Sequence, residues 1–303
     1  MSADSAWSVE SHPAPAAPAA SIVSVRQREG GAHGALCVTM PDKWTSLDIT
    51  TAGQSVTVGK LVEAGLKLRT NGGPAQLGQV RATHAVIDTR VKGGSAGGVE
   101  AAGPLKGGEL SGSQVHVSTG QGAVQLKRLV GQQVQVSLQA DFSAGAVYGE
   151  QVDIASRGAI SIGNMDCSQS GRLRSQGGDV RVGSLDGHLE VESEGGSIEV
   201  HVHNRAGTLR LASNGGAVCV AVSPDTQLQV LLTSCGDMTL GEGCAPSSST
   251  PPVSWLIAPS SASAAKRSGP VACGALEIAA GTGHVTMYLE GWAAAMQRKL
   301  GKA

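Results

Sequence analysis

Leu173-Arg174-Ser175-Gln176-Gly177-Gly178-Asp179-Val180-Arg181-Val182 is followed by Val191-Glu192-Ser193-Glu194-Gly195-Gly196-Ser197-Ile198-Glu199-Val200 and by Leu211-Ala212-Ser213-Asn214-Gly215-Gly216-Ala217-Val218-Cys219-Val220. One template is written three times. The hydroxyl anchors Ser175, Ser193 and Ser213 lie 18 and 20 residues apart. An apolar-x-apolar-x-hydroxyl run alternates with period two, as a strand with one buried face must. The Gly-Gly or Asn-Gly step supplies the backbone freedom of a tight corner. A second short strand follows, of the form apolar-x-apolar-Gly-x-apolar: Val58-Gly59-Lys60-Leu61, Leu77-Gly78-Gln79-Val80, Ile162-Gly163-Asn164-Met165 and Val182-Gly183-Ser184-Leu185.

The template extends outward from these copies. Leu68-Arg69-Thr70-Asn71-Gly72-Gly73-Pro74-Ala75-Gln76-Leu77 and Val117-Ser118-Thr119-Gly120-Gln121-Gly122-Ala123-Val124-Gln125-Leu126 obey it, and fainter copies centre on Thr89, Leu138 and Ser156. Only the interval from Thr89 to Thr119 breaks the rhythm; its Gly93–Gly98 cluster and Pro104 read as a loop inserted between coils. A lone unit cannot bury its apolar face, whereas stacked units give every strand a neighbour and enclose a narrow aliphatic interior. The sequence therefore predicts an all-β, single-domain β-solenoid, or β-helix, with coils of about 18–20 residues along one axis. A sandwich does not require one template at near-constant register. A hexapeptide solenoid would repeat its aliphatic residue every six positions or so, against every two here.

Composition agrees. The chain has 303 residues, 43 of them glycine, yet only four Trp, two Tyr and one Phe, so Val, Leu, Ile and Ala must fill the core. Residues 1–34 read as a disordered tail, because the Pro/Ala run at 11–20 has no apolar period. Leu36–Met40 and Leu47–Thr50 read as entry strands of a solenoid over 35–289. A loop insertion at 244–270 carries one apolar stub, Trp255-Leu256-Ile257. Residues 290–303 read as a short C-terminal capping helix with Trp292, Met296 and Leu300 on one stripe; docking to a partner or membrane through Arg298, Lys299 and Lys302 is the weaker reading of that helix.

The formal net charge of −1 offers no field to recruit nucleic acid or an anionic membrane. No apolar run approaches the ~18 residues of a transmembrane helix. Six cysteines without a C-x-x-C pair fit a reducing compartment. Asp4 and Glu10, with no Lys or Arg before residue 25, count against a transit peptide, so the expected location is cytoplasmic, with a mitochondrial one as the alternative.

Few residues suggest chemistry. Alternation turns Glu199, His201 and His203 outward, and His188, Glu190 and Glu192 are expected one coil earlier on the same side. Such a ladder could share a transition metal through His at i and i+2, but no third and fourth ligand is fixed. A solvated polar face is the simpler reading, and no metal or cofactor is assigned. Asp153, Asp166, Asp179 and Asp186 could supply the paired carboxylates of a polysaccharide-cleaving β-helix, but they read as falling at different template positions, mostly at corners, where Asp satisfies turn backbone. Cys219 should face outward as an inert or reactive surface thiol. The paired glycines precede no helix, so corners explain them better than a phosphate cradle does. No catalytic residue is assigned.

At Leu68–Leu77 and, most densely, Leu173–Val220, the chain resembles the adhesin-like β-repeat family of bacteria and its eukaryotic relatives, whose strand-GG-strand units form a β-solenoid. The resemblance covers about residues 35–289 and carries no defined catalytic motif. A rigid stack of coils presents long polar faces of the kind solenoids use for macromolecular partners, so the expected function is a non-enzymatic, adhesin-like binding or structural scaffold for such a partner, most simply a protein, through strand rows rich in Gln, Ser, Thr, His and Glu. The alternative is a β-helix enzyme acting on a polysaccharide or bound ligand.

Overall fold

The computed structural model describes residues 7–14, 17–27, 45–91, 103–241, 244, 253–257 and 273–290. Among the described residues there are seventeen strands and no helix. The chain divides into two compact units, 1–145 and 146–303.

The first unit contains β1 (Trp7–Ala14), β2 (Ala17–Gln27), β3 (Thr45–Thr50), β4 (Val56–Arg69), β5 (Ala75–Asp88), β6 (Leu105–Ser118) and β7 (Val124–Leu138). From β2 to β7 every neighbour pairs in parallel and in chain order. One inward row runs through Val25, Ile49, Leu68, Ile87, Val117 and Val136, each the register partner of the next. Coil upon coil in register is the β-solenoid, with strands spaced about 4.8 Å apart along the stack.

Two expectations change here. From β4 to β7 each coil is one long bent strand rather than two short ones. In β5 the buried side chains alternate, skip at the bend and alternate again, so both faces of the coil are filled from one continuous element. The tail expected over 1–34 is ordered in part: β1 and β2 form an antiparallel hairpin, and β2 lies parallel to β3 with Val23 opposite Leu47 and Val25 opposite Ile49. Val25 is buried. The Pro/Ala run hides a β-branched stretch, Ile22 to Val25, whose alternation matches that of β3. The edge of the first coil thereby gains the partner that a terminal coil needs. Pro13 is tolerated because β1 pairs only with β2 among the described residues, and an edge strand can lack one donor. Of the two entry strands, Leu47–Thr50 falls in β3, and Leu36–Met40 lies outside the described residues.

The division between the units falls within β8 (Phe142–Ser156). The second unit continues with β9 (Ile160–Ser175), β10 (Val180–Ser193), β11 (Ile198–Ser213), β12 (Val218–Val222), β13 (Leu228–Ser234), β14 (Asp237–Leu240), β15 (Val253–Ile257), β16 (Gly274–Ala279) and β17 (His284–Leu289). Here β9, β10 and β11 stack in parallel and in order. The chain order then breaks. The last two strands insert into the stack: β16 lies between β11 and β13, and β17 between β12 and β14. Leu276, Ile278, Val285 and Met287 are buried there. The apolar stub expected inside a surface loop is β15, antiparallel to β13 and anchored by buried Val253 and Ile257. The rest of the 244–270 insertion, apart from Cys244, lies outside the described residues, as does the capping helix of 290–303 beyond Glu290.

At three corners the template hydroxyl is a clasp, and at Ser213 it reaches instead to the Gly196 carbonyl of the coil below. Thr70 donates to the Gly73 carbonyl at 2.6 Å, Thr119 to Gly122 at 2.9 Å and Ser175 to Gly178 at 2.6 Å. These hydroxyls are buried and satisfied within their own corner. The two glycines of a corner have separate tasks. The first, Gly195, holds φ at +100°, which L side chains rarely adopt. The second, Gly196, has no positive φ but lies against the corner of the coil below, with no room for a side chain.

Candidate functional site

A solenoid's chemistry lies in its outer rows, because register partners on adjacent coils bring like positions within about 5 Å. In the first unit one face is lined over β5, β6 and β7 by amide and imidazole side chains. His84, Gln114 and Gln133 are successive partners on β5, β6 and β7, and beside them Val86, His116 and Gln135 form the next row. Gln114 Nε2 donates to Gln133 Oε1 at 3.3 Å, and His116 Nδ1 lies 3.2 Å from Gln135 Oε1. Gln114, Gln133 and Gln135 are exposed. A carboxamide has two N–H donors and a carbonyl with two lone pairs, so one bond along the row leaves most of its capacity facing solvent.

The second unit presents a charged row instead. Arg172, Glu190, Arg210 and Glu277 are successive partners on β9, β10, β11 and β16. Arg172 meets the Glu190 carboxylate through Nε at 2.8 Å and Nη2 at 2.5 Å. Arg210 lies 3.8 Å from both Glu190 and Glu277. Arg174 pairs with Asp153 at 2.9 Å, and on the other face of the coil Arg181 pairs with Glu199 at 2.7 Å. All are solvent-facing, so each adds little to stability; their interest is their order. Arg172, Glu190 and Arg210 each precede the first apolar residue of the template, which made three of the four positions legible. Glu277 was not, because β16 stacks out of chain order.

The expected histidine ladder does not assemble. Glu199 stacks between Arg181 and Cys219, whereas Glu190 belongs to the other half of the coil with Arg210. His188, Glu190 and Glu192 are therefore not on the face of Glu199, His201 and His203. His201 is buried rather than outward, and its register partner Ala221 is buried as well. Both sides of the strand are covered at this position, so alternation no longer sorts inside from outside. The His201 and His203 rings meet edge to face with centroids 6.4 Å apart. His188 is held by the next coil: the Thr208 N–H donates to its Nδ1 at 3.0 Å, which places a neutral ring's proton on Nε2. Among the described residues no group of three or more His, Cys, Asp or Glu side chains is arranged to hold a metal ion.

The aspartates separate by role. Asp179 is a corner residue whose carboxylate accepts the Ser197 N–H at 2.9 Å; hydrogen bonding from Ser197, aided by Arg181, holds its carboxyl below the usual range. Asp153 is paired with Arg174. Asp166 and Asp186, by contrast, are register partners on β9 and β10, at one template position rather than two.

Cys167 is fully buried beside Asp166, and burial, followed by that carboxylate, pushes its thiol up to about 12. Cys219 is half-buried and Cys273 exposed. In the native protein at pH 8, a disulfide reagent is expected to modify Cys273 rapidly and Cys167 only after denaturant is added. Release of the chromophore counted before and after denaturation, with peptide mapping, checks this. Rapid native labelling of Cys167 would contradict its enclosure.

Among the described residues no helix is long and apolar enough to cross a membrane. The family model described as Toastrack DUF4097 matches residues 34–250. Comparison with curated proteins and with solved structures gives no match.

Proposed function

We infer that this chain, which belongs to the Toastrack DUF4097 family, is a non-enzymatic, adhesin-like binding scaffold that presents the amide rows of its first unit to a macromolecular partner, most simply a protein. The family is a β-solenoid family of undefined function, so the reading rests on the surface itself. The observation that carries it is the adjacent pair of rows Gln114–Gln133 and His116–Gln135. A face of amide donors and acceptors at strand spacing matches the polar groups of an extended chain or a second sheet. Neutral side chains also carry less desolvation penalty than ions when such a face is covered.

The test compares the wild-type chain with a Gln114→Ala, Gln133→Ala, Gln135→Ala variant as immobilised bait for a soluble extract of cells that make the protein. Each lost hydrogen bond is worth about 0.5–1.5 kcal/mol net, so a bound partner is expected to weaken roughly tenfold or more. A partner retained equally by both baits, at matched thermal stability, removes this face from the function.

One observation favours the enzymatic alternative: Asp166 and Asp186 sit side by side on neighbouring coils, as an acid–base pair on a polysaccharide would require. That reading predicts chain cleavage in a polysaccharide panel, abolished by Asp186→Asn. The scaffold reading predicts no cleavage by either protein.

A further inference from the structure

Along β9, β10, β11 and β16 the outer row reads Arg172, Glu190, Arg210, Glu277. The charges are plus, minus, plus, minus, one step per strand over about 14 Å. An alternating row of even length has a particular symmetry: turned end for end, it becomes its own complement. We propose that this face is a self-association surface, on which a second copy of this chain docks face to face about a two-fold axis running along the strands between β10 and β11.

The axis sets Arg172 opposite Glu277 of the second copy and Glu190 opposite its Arg210. Symmetry repeats both pairs, so all four charges gain an opposite charge across the interface. This is the self-complementarity that an isologous contact demands. The flanking rows permit the approach. On one side Glu192 is followed by Ala212 and Ala279; on the other, Thr208 is followed by Ala275. The same axis places Glu192 opposite Ala212 of the second copy and Arg174 opposite its Ala279, so no like charges meet in that row. Within one copy the four side chains keep between 26% and 59% of their exposure, so their present pairing does not use them up. The row's net charge is zero, which disfavours a polyanion or polycation as occupant.

The face is small. Four strands about 4.8 Å apart, each contributing some five residues at about 3.3 Å, give roughly 300 Å² per partner. A standard stable interface buries about 800 Å² per partner. The dimer is therefore weak and reversible, and its association is electrostatic and salt-sensitive. This surface belongs to the second unit and is independent of the amide rows proposed for partner binding.

Sedimentation velocity on the full chain tests it. At about 20 mM salt the protein is expected to dimerise with concentration, and at about 300 mM the dissociation constant should rise at least tenfold. Two variants give the row a single sign: Arg172→Glu with Arg210→Glu, and Glu190→Lys with Glu277→Lys. Each should be monomeric alone, and the two should dimerise when mixed. Inverting all four charges keeps the alternation and the pairing within the copy, and should restore the homodimer even if a single-sign variant folds poorly. A wild-type chain that stays monomeric at about 100 μM and low salt overturns the proposal. So does a dimer untouched in both single-sign variants, or a fully inverted variant that folds but stays monomeric.

Discussion

Gly196→Val is expected to abolish folding of the second unit, and even Gly196→Ala to lower its melting temperature sharply. A Cβ at this position would lie 2.3 Å from the Gly178 carbonyl oxygen, 2.5 Å from its carbon and 2.9 Å from Ser193 Oγ. The first two atoms are backbone of the corner below, pinned by the ladder, so they cannot step aside as a flexible side chain would. Opening a gap between two coils breaks hydrogen bonds along the stack, not at one residue. Overpacking alone typically destabilises by about 1–3 kcal/mol, and disruption of the ladder adds to it against a total of about 5–15 kcal/mol. Gly195→Ala tests the other kind of corner glycine: there is space, but the φ of +100° is strained, which costs about 1–2 kcal/mol. Gly59→Ala in the first unit, with nothing within 4 Å of the new Cβ, is the control. Thermal unfolding followed by circular dichroism should rank the losses Gly196→Val, Gly196→Ala, Gly195→Ala, Gly59→Ala. A Gly196→Ala protein melting within a degree or two of wild type would show that the coils are not packed as described.

The second large effect concerns the chain beyond residue 250. Ending the protein there keeps every residue that the family model matches, yet removes β16 and β17 from the interior of the stack. Leu276, Ile278, Val285 and Met287 are at most 1% exposed, and burying such side chains contributes about 1.5–3 kcal/mol each. The loss is thus of the order of the whole stability of a domain. Geometry makes it worse. Without β16 and β17, β13 and β14 lose their parallel partners, and β11 and β12 are left with open edges. The shortened chain is expected to be aggregation-prone or to lose amide protection through β11–β14. Hydrogen exchange on the amides of Leu209 and Leu211, which lie in β11 beside β16, is the decisive measurement. Wild-type protection in the shortened chain would mean that the inserted coil is dispensable.

The interior was readable because a narrow aliphatic core imposes one constraint on every coil. The hydroxyls of Thr70, Thr119 and Ser175, the glycines after them and the alternating Val, Leu and Ile answer local needs: a clasp for the corner, a turn, and a buried face. Such needs are visible in ten residues. The outer rows were only half readable. Arg172, Glu190 and Arg210 align by template position, whereas the histidine ladder does not form, because Glu190 lies across the bend from the half of the coil that pairs with Glu199 and His201 sits where both sides of the strand are covered. Between the partners Leu185–Val202 and Gly187–Ala206, β11 carries extra residues, and from there a period-two count slips.

By itself, then, the sequence determined the coil: its length near nineteen residues, its aliphatic filling and its glycine corners, since each is satisfied by residues close together in the chain. Tertiary structure alone decided the order of coils at the C-terminal end, the pairing of β2 with β3, the enclosure of His201 and the completion of the charged row by Glu277. Parallel strand edges are chemically alike, so a template can state that a segment will be a coil without stating between which neighbours it lies. That choice is made by packing between residues far apart in the chain, here of Leu276, Ile278, Val285 and Met287 between their neighbouring strands.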